Sequence, residues 1–148
     1  MKIEKDLIKL GLNFSQKEEV LKFIANLLSK KKYVKDDFIV SVIERESTFP
    51  TGLPTRPYAV AIPHTDSDKV IESKVAFATL KEPVVFSSMG DSDTEVYVKM
   101  IFMLAINDSN EQLQVLQNVM SVIQNEKLLN KLAKSQKATE VLDILKPI

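Results

Sequence analysis

Cysteine is absent from the 148 residues, which removes disulfides, thiolate nucleophiles and cysteine-based metal sites together. Glycine is scarce: Gly11, Gly52 and Gly90 are the three, spaced too widely for a P-loop or a dinucleotide fingerprint. Both motifs cluster glycines to bring backbone against phosphate, so any phosphate chemistry here would draw on a donor other than a nucleotide in a glycine-rich cradle. An excess of either charge is also missing. Lys plus Arg number 20 and Asp plus Glu number 20, so the chain lacks the basic surplus that drives nucleic-acid binding. No apolar run approaches the roughly 20 residues that span a bilayer, and MKIEKDLIKLGLNF contains no uninterrupted apolar core like that of a signal peptide. Nucleic acid and direct membrane insertion are therefore excluded, and a soluble, cytoplasmic protein is expected. Histidine occurs once, and zinc usually recruits several nitrogen or sulfur ligands, so neither a metal nor another cofactor is expected.

What is present suits one compact domain, 1–148, with a hydrophobic fraction of 45%. Ser15-Gln16-Lys17-Glu18 reads as a capping box opening an amphipathic helix to about Lys31, with Val20, Phe23, Ile24, Leu27 and Leu28 as its stripe. Asp36 and Asp37 suit the positive end of a second helix, which carries Phe38, Ile39, Val42 and Ile43 and ends near Glu46. STFPTGLPTRP follows as an irregular loop, because three prolines remove backbone donors. Tyr58 to Ile62 is a short strand stopped by Pro63, and Asp66-Ser67-Asp68 a polar turn.

Val75 to Thr79 reads as a strand and Val84-Val85-Phe86 as another, with Lys81-Glu82-Pro83 as the break between them. Val96 to Ile106 reads as a buried central strand, with Met100 and Met103 in the core; a helix is the competing assignment. Ser109-Asn110-Glu111-Gln112 offers a second capping pattern, followed by a stripe of Leu113, Leu116, Met120 and Ile123. Asn125 suits the cap of a short helix carrying Leu128, Leu129 and Leu132, and a last helix holds Val141, Leu142 and Leu145. Strands interleaved with helices predict an α/β domain whose mixed β-sheet is flanked by helices.

His64 stands where an apolar strand ends, at the mouth of a turn rich in Thr65, Asp66, Ser67 and Asp68. Side chains at strand ends of α/β folds tend to face ligands, and a neutral imidazole can attack a phosphoryl group to form a labile phosphoramidate. Spacing by itself equally allows a strand-end histidine with no role. Arg45, just before the proline-rich loop, could stabilise a transferring phosphoryl group or simply pair with Glu44 and Glu46. Asp91, Asp93 and Glu95 lack the spacing of a calcium loop and read as a solvated turn, with a docking surface as the alternative. No G-x-S-x-G elbow is present, so a serine hydrolase is poorly supported.

At Ala61-Ile62-Pro63-His64-Thr65 the sequence resembles the enzyme IIA domains of the bacterial sugar phosphotransferase system, of the mannitol/fructose class and within it the galactitol type. Arg45-Glu46, Phe49-Pro50-Thr51-Gly52-Leu53, Pro83-Val84, Met89-Gly90-Asp91 and the segments from Val98 to Ala105 and Leu113 to Gln117 carry the same resemblance. It implies a mixed sheet covered by helices. It implies also a relay in which the phosphocarrier protein HPr loads the IIA histidine, which then loads a cysteine of the cognate IIB, while the membrane IIC moves the sugar. Carried over by position, His64 would be the phosphorylated nucleophile and Arg45 the phosphate-supporting arginine. Many relatives place a second histidine at the helix start matching Asn110 to Leu113; here Gln112 is the candidate occupant, able to donate a hydrogen bond but not to carry charge. The resemblance leaves a second role open, that of a nitrogen-linked regulatory domain signalling by its phosphorylation state.

Overall fold

The computed structural model describes residues 2–148. Five strands form one mixed sheet: β1 (Ile8–Leu12), β2 (Gly52–Leu53), β3 (Ala59–Ala61), β4 (Lys74–Ser87) and β5 (Glu95–Ala105), in the order β1-β4-β5-β3-β2. β1 runs parallel to β4 and β3 parallel to β5, whereas β4 and β5, and β2 and β3, are antiparallel. Helices α1 (Lys17–Lys30) and α2 (Phe38–Thr48) cover one face; α3 (Ser109–Ile123), α4 (Glu126–Lys134) and α5 (Ala138–Ile144) cover the other.

Over Val75 to Ala78 of β4 the two faces of the sheet differ in side-chain size. Ala76 and Ala78 of β4 face α1 and α2, where small residues let Leu21, Ile24, Leu28 and Phe38 approach closely. Val75 and Phe77 face α3 to α5, and Phe77 packs edge-on against Phe102 with ring centroids 4.9 Å apart. From Met100 onward β5 is apolar on both sides because both sides are covered there, whereas before Met100 exposed Glu95 and Tyr97 and half-buried Lys99 alternate with buried Val96 and Val98. Met100 and Met103 are fully buried within it, as expected.

Four local expectations are corrected. Lys81-Glu82-Pro83 does not divide two strands: β4 is continuous, and Leu80, Lys81, Glu82 and Pro83 together stand opposite Lys99 of β5 in a bulge. A bulge is a place in a ladder where a proline's missing donor does no harm. The loop after α2 starts later than Glu46, since the helix runs to Thr48, and it contains β2. Glu19, not Glu18, closes the start of α1, accepting from the Gln16 N–H at 3.0 Å and the Ser15 hydroxyl at 3.2 Å. Asp108 rather than Ser109 caps α3, accepting the Glu111 N–H at 2.9 Å. That helix accordingly buries Val115, Val119, Val122 and Ile123 and leaves Leu113 outside. Asn125 caps α4 through the Leu128 N–H at 3.2 Å, as its position predicts. Among the described residues no helix is long and apolar enough to cross a membrane.

Candidate functional site

β3 and β5 run side by side in the same direction, and their C-terminal ends open at one edge of the sheet. The Leu104 N–H donates to the Pro63 carbonyl at 3.0 Å, so the pairing continues one step past β3 and pins the backbone that carries His64. The chain leaving β5 turns directly into α3, whose first turn lies beside it. Strand ends and a helix N-terminus thus converge, the arrangement in which α/β folds collect anions.

The His64 ring is half-buried, with Nδ1 lying 2.9 Å from the Ile62 carbonyl oxygen. A carbonyl only accepts, so Nδ1 carries the proton and donates, which leaves the lone pair on Nε2. Thr65 is tied to α2 by a 2.5 Å hydrogen bond between its hydroxyl and that of Ser41. That bond holds the turn after His64 against the helix that supplies Arg45.

The structure brings all three sequence-derived candidates together. His64, Arg45 and Gln112 line one open cleft of about 520 Å³, with Thr65, Asp66 and Leu113. His64 and Arg45 also line a second groove of about 440 Å³, shared with Phe49, Pro50, Met89 and Asp91. The two residues therefore stand where two grooves meet. Arg45 does not pair with its flanking glutamates. Its Nη1 lies 3.6 Å from Asp66 Oδ1, and its guanidinium sits 4.6 Å from the centre of the Phe49 ring. The ion pair is half-exposed and weak, which leaves the arginine able to change partners.

Sequence reasoning missed two features of the site. Phe49, Leu113 and Met89 are 60%, 57% and 44% exposed, so an apolar rim surrounds the polar centre. Their exposure could not be read from type, since apolar residues in helices and loops are ordinarily assigned inward. Glu46 is the second: it is only 2% exposed and bonded to Thr51, which lines the second groove. Its carboxylate accepts the Thr51 N–H and the Thr51 hydroxyl, each at 2.7 Å. Burial pushes its pKa up to about 7, against the opposing pull of the Thr51 backbone and side-chain hydrogen bonds and the Lys17 charge.

The acidic set beyond Gly90 divides its duties. Asp91 accepts from the Thr94 hydroxyl at 2.8 Å and the Asp93 N–H at 3.1 Å, two bonds that lower its pKa and hold the turn shut. Asp93 is exposed, as a solvated turn requires, whereas Glu95, also exposed, is not in the turn: it opens β5, paired with Ser87 of β4.

Residues 1–147 match the family described as phosphoenolpyruvate-dependent sugar phosphotransferase system, EIIA 2. The galactitol-specific EIIA component of Escherichia coli (strain K12) is 29% identical over 127 residues, covering 84% of this chain and 83% of the relative. The mannitol-specific phosphotransferase enzyme IIA component of Bacillus subtilis (strain 168) is 27% identical over 149 residues, covering 99% and 97%. Among solved structures, the complex of enzyme IIAMTL and phosphorylated enzyme IIBMTL from Escherichia coli contains a chain that matches with a TM-score of 0.81. That match is 25% identical and covers 99% of both chains.

Proposed function

The chain belongs to the EIIA 2 family of the phosphoenolpyruvate-dependent sugar phosphotransferase system, and from that membership we propose that it is a phosphocarrier loaded on His64. HPr supplies the phosphoryl group, a cysteine of the cognate IIB receives it, and the membrane IIC acts only indirectly. The work is done in the cytoplasm, with no cofactor. The observation that carries this reading is the orientation of one ring. With Nδ1 held by the Ile62 carbonyl at 2.9 Å, the nucleophilic Nε2 is the nitrogen left for the junction of the two grooves.

In the loading step, Nε2 attacks phosphorus, the Nε2–P bond forms and the bond from phosphorus to the donor breaks. No proton has to leave, because the attacking nitrogen carries none. The ring becomes cationic, and the Nδ1–H donated to Ile62 holds it in place. Arg45 is near enough to trade Asp66 for the incoming phosphoryl oxygens, and its planar fork suits them. The Gln112 amide offers a further donor, and the positive end of α3 favours the negative charge. Discharge reverses the geometry, with an acceptor thiolate attacking phosphorus and the electron pair returning to Nε2. The apolar rim of Phe49, Leu113 and Met89 fits a site visited by protein surfaces.

The sugar served by the system is of the galactitol type in our reading, supported by the galactitol-specific relative. Incubation with phosphoenolpyruvate, enzyme I and HPr should place one phosphoryl group on the wild type and none on His64→Ala. Equal labelling of the two would end the proposal. Discharge of the loaded protein onto a IIB and not onto other carriers tests the transport role; failure with every IIB would favour the regulatory reading.

A further inference from the structure

Four hydrogen bonds link the most deeply buried acid of the site to its histidine. Glu46 Oε2 accepts the Thr51 N–H at 2.7 Å and Oε1 accepts the Thr51 hydroxyl at 2.7 Å. Thr51 Oγ1 in turn accepts the Ile62 N–H at 3.1 Å, and the Ile62 carbonyl accepts Nδ1–H of His64 at 2.9 Å. Glu46, Thr51 and Ile62 are all buried, so each bond is made where water does not compete.

We propose that Glu46 is a positioning residue for phosphoryl transfer, acting through Thr51 and the backbone of Ile62 to fix the tautomer and orientation of His64. The inference rests on the His64 phosphocarrier reading for its consequence, but its structural half concerns the ring alone. The bookkeeping of donors supports it. Thr51 presents two hydrogens to Glu46, and the carboxyl group offers one oxygen to each. With both satisfied, the Thr51 hydroxyl oxygen is oriented to receive the Ile62 N–H, a hydrogen it shares with the Thr51 carbonyl at 3.4 Å, and the Ala61–Ile62 peptide is anchored. The Ile62 carbonyl belongs to the next peptide, joined at the Ile62 Cα, so anchoring Ile62 at its N–H limits where that carbonyl points, and the carbonyl decides which ring nitrogen keeps the proton.

Glutamine at position 46 cannot do the same. Its carbonyl oxygen can stand in for only one of the two carboxyl oxygens, and the amide nitrogen puts donors where the other acceptor stood, so one of the two Thr51 hydrogens loses its acceptor. The expected consequence is a mixed tautomer, in which part of the protein carries its proton on Nε2 and cannot attack.

The chain has one histidine, so 15N-histidine labelling reports this ring alone. In the wild type above the ring's titration, the two nitrogens should give the signature of a predominantly Nδ1-protonated imidazole. Glu46→Gln and Thr51→Val should both shift the signals toward the other tautomer and slow loading from HPr. The slowing should be roughly tenfold, the low end of what losing a ring-orienting partner costs at metal sites. Thr51→Ser keeps both donors and should restore wild-type values. The proposal fails if both Glu46→Gln and Thr51→Val keep the wild-type ring signals, or if Thr51→Ser is as impaired as Thr51→Val, since packing would then explain the loss. Should Glu46→Gln not fold, Thr51→Val decides. If no variant, the wild type included, accepts phosphate while the ring signals shift as expected, the phosphocarrier reading falls and the positioning role stands.

Discussion

The Arg45 guanidinium lies 4.6 Å from the centre of the Phe49 ring, although that ring is 60% exposed to solvent. Stacking on an aromatic face holds a long, flexible cation near one place without neutralising it. Such an arrangement suits an arginine that must receive a phosphoryl group and later release it. Arg45→Ala should therefore slow loading of His64 by two to three orders of magnitude, corresponding to about 2.7–4 kcal/mol for one lost electrostatic stabiliser. Circular dichroism should show an unchanged fold. Arg45→Lys keeps the charge but loses the planar fork, and should recover only part of the rate. Phe49→Ala should fall between wild type and Arg45→Ala; rates indistinguishable from wild type would show that the ring does not position the cation.

Gln112 borders the same cleft as His64 from the first turn of α3. If its amide donates to the phosphoryl group, Gln112→Ala should slow loading less than Arg45→Ala does, since a neutral donor contributes less than a charged one. Gln112→Glu should slow it further, because a carboxylate there repels the incoming charge. Quench-flow measurement of the loading rate would rank the three variants. A glutamate variant as fast as wild type would place Gln112 outside the reacting zone.

Much of this molecule is legible in its residue order, and the exceptions have physical causes. β5 is legible because burial on both faces from Met100 to Ala105 demands consecutive apolar residues there. β1 is not, since it lies at the sheet edge and carries Lys9 and Gly11 among its apolar residues. His64 stands out as a lone imidazole after a strand and a proline. Glu46 does not, because in Glu44-Arg45-Glu46 it looks like a surface partner for the arginine. Only the folding of the Pro50-to-Leu53 segment over the end of α2 brings Thr51 onto its carboxylate and seals it from water. The partner lies close in sequence, but the residue types of that stretch do not announce that the loop folds back over the helix end.

Gly52 is where the sheet edge meets the second groove. A Cβ built on it would stand 2.5 Å from the Ser87 carbonyl oxygen, a backbone atom with little room to move. Its own carbonyl accepts the Met89 N–H at 2.8 Å, so displacing β2 also displaces the rim. Gly52→Ala should lower stability by roughly 1–3 kcal/mol, as other overpacked sites do. It should also slow transfer beyond what instability explains. Thermal melting alongside loading rates separates the two effects, and an unchanged melting temperature would mean that β2 can slide at no cost.

Glu46 gives the protein a pH dependence of unusual sign. Its pKa stands at about 7 in the folded chain against an ordinary 4.5, so the folded state holds the proton over a range where the unfolded state has released it. Stability from this group is therefore greatest below pH 4.5 and declines as pH rises through the window to about 7, then levels off. The steepest slope one proton allows is about 1.4 kcal/mol per pH unit. Glu4, Asp6, Asp37 and Asp91 act in the opposite sense, since hydrogen bonds lower their values. Their contribution is present above the ordinary carboxylate range and is lost as pH falls below it. The two sets operate in neighbouring windows, so the acid limb and the neutral limb of a stability profile have different owners. Denaturant unfolding of the wild type between pH 4.5 and 8 should show a falling neutral limb, and Glu46→Gln should flatten that limb alone. A variant whose neutral limb keeps the wild-type slope would show that Glu46 stays ionised throughout, its two Thr51 hydrogen bonds outweighing burial.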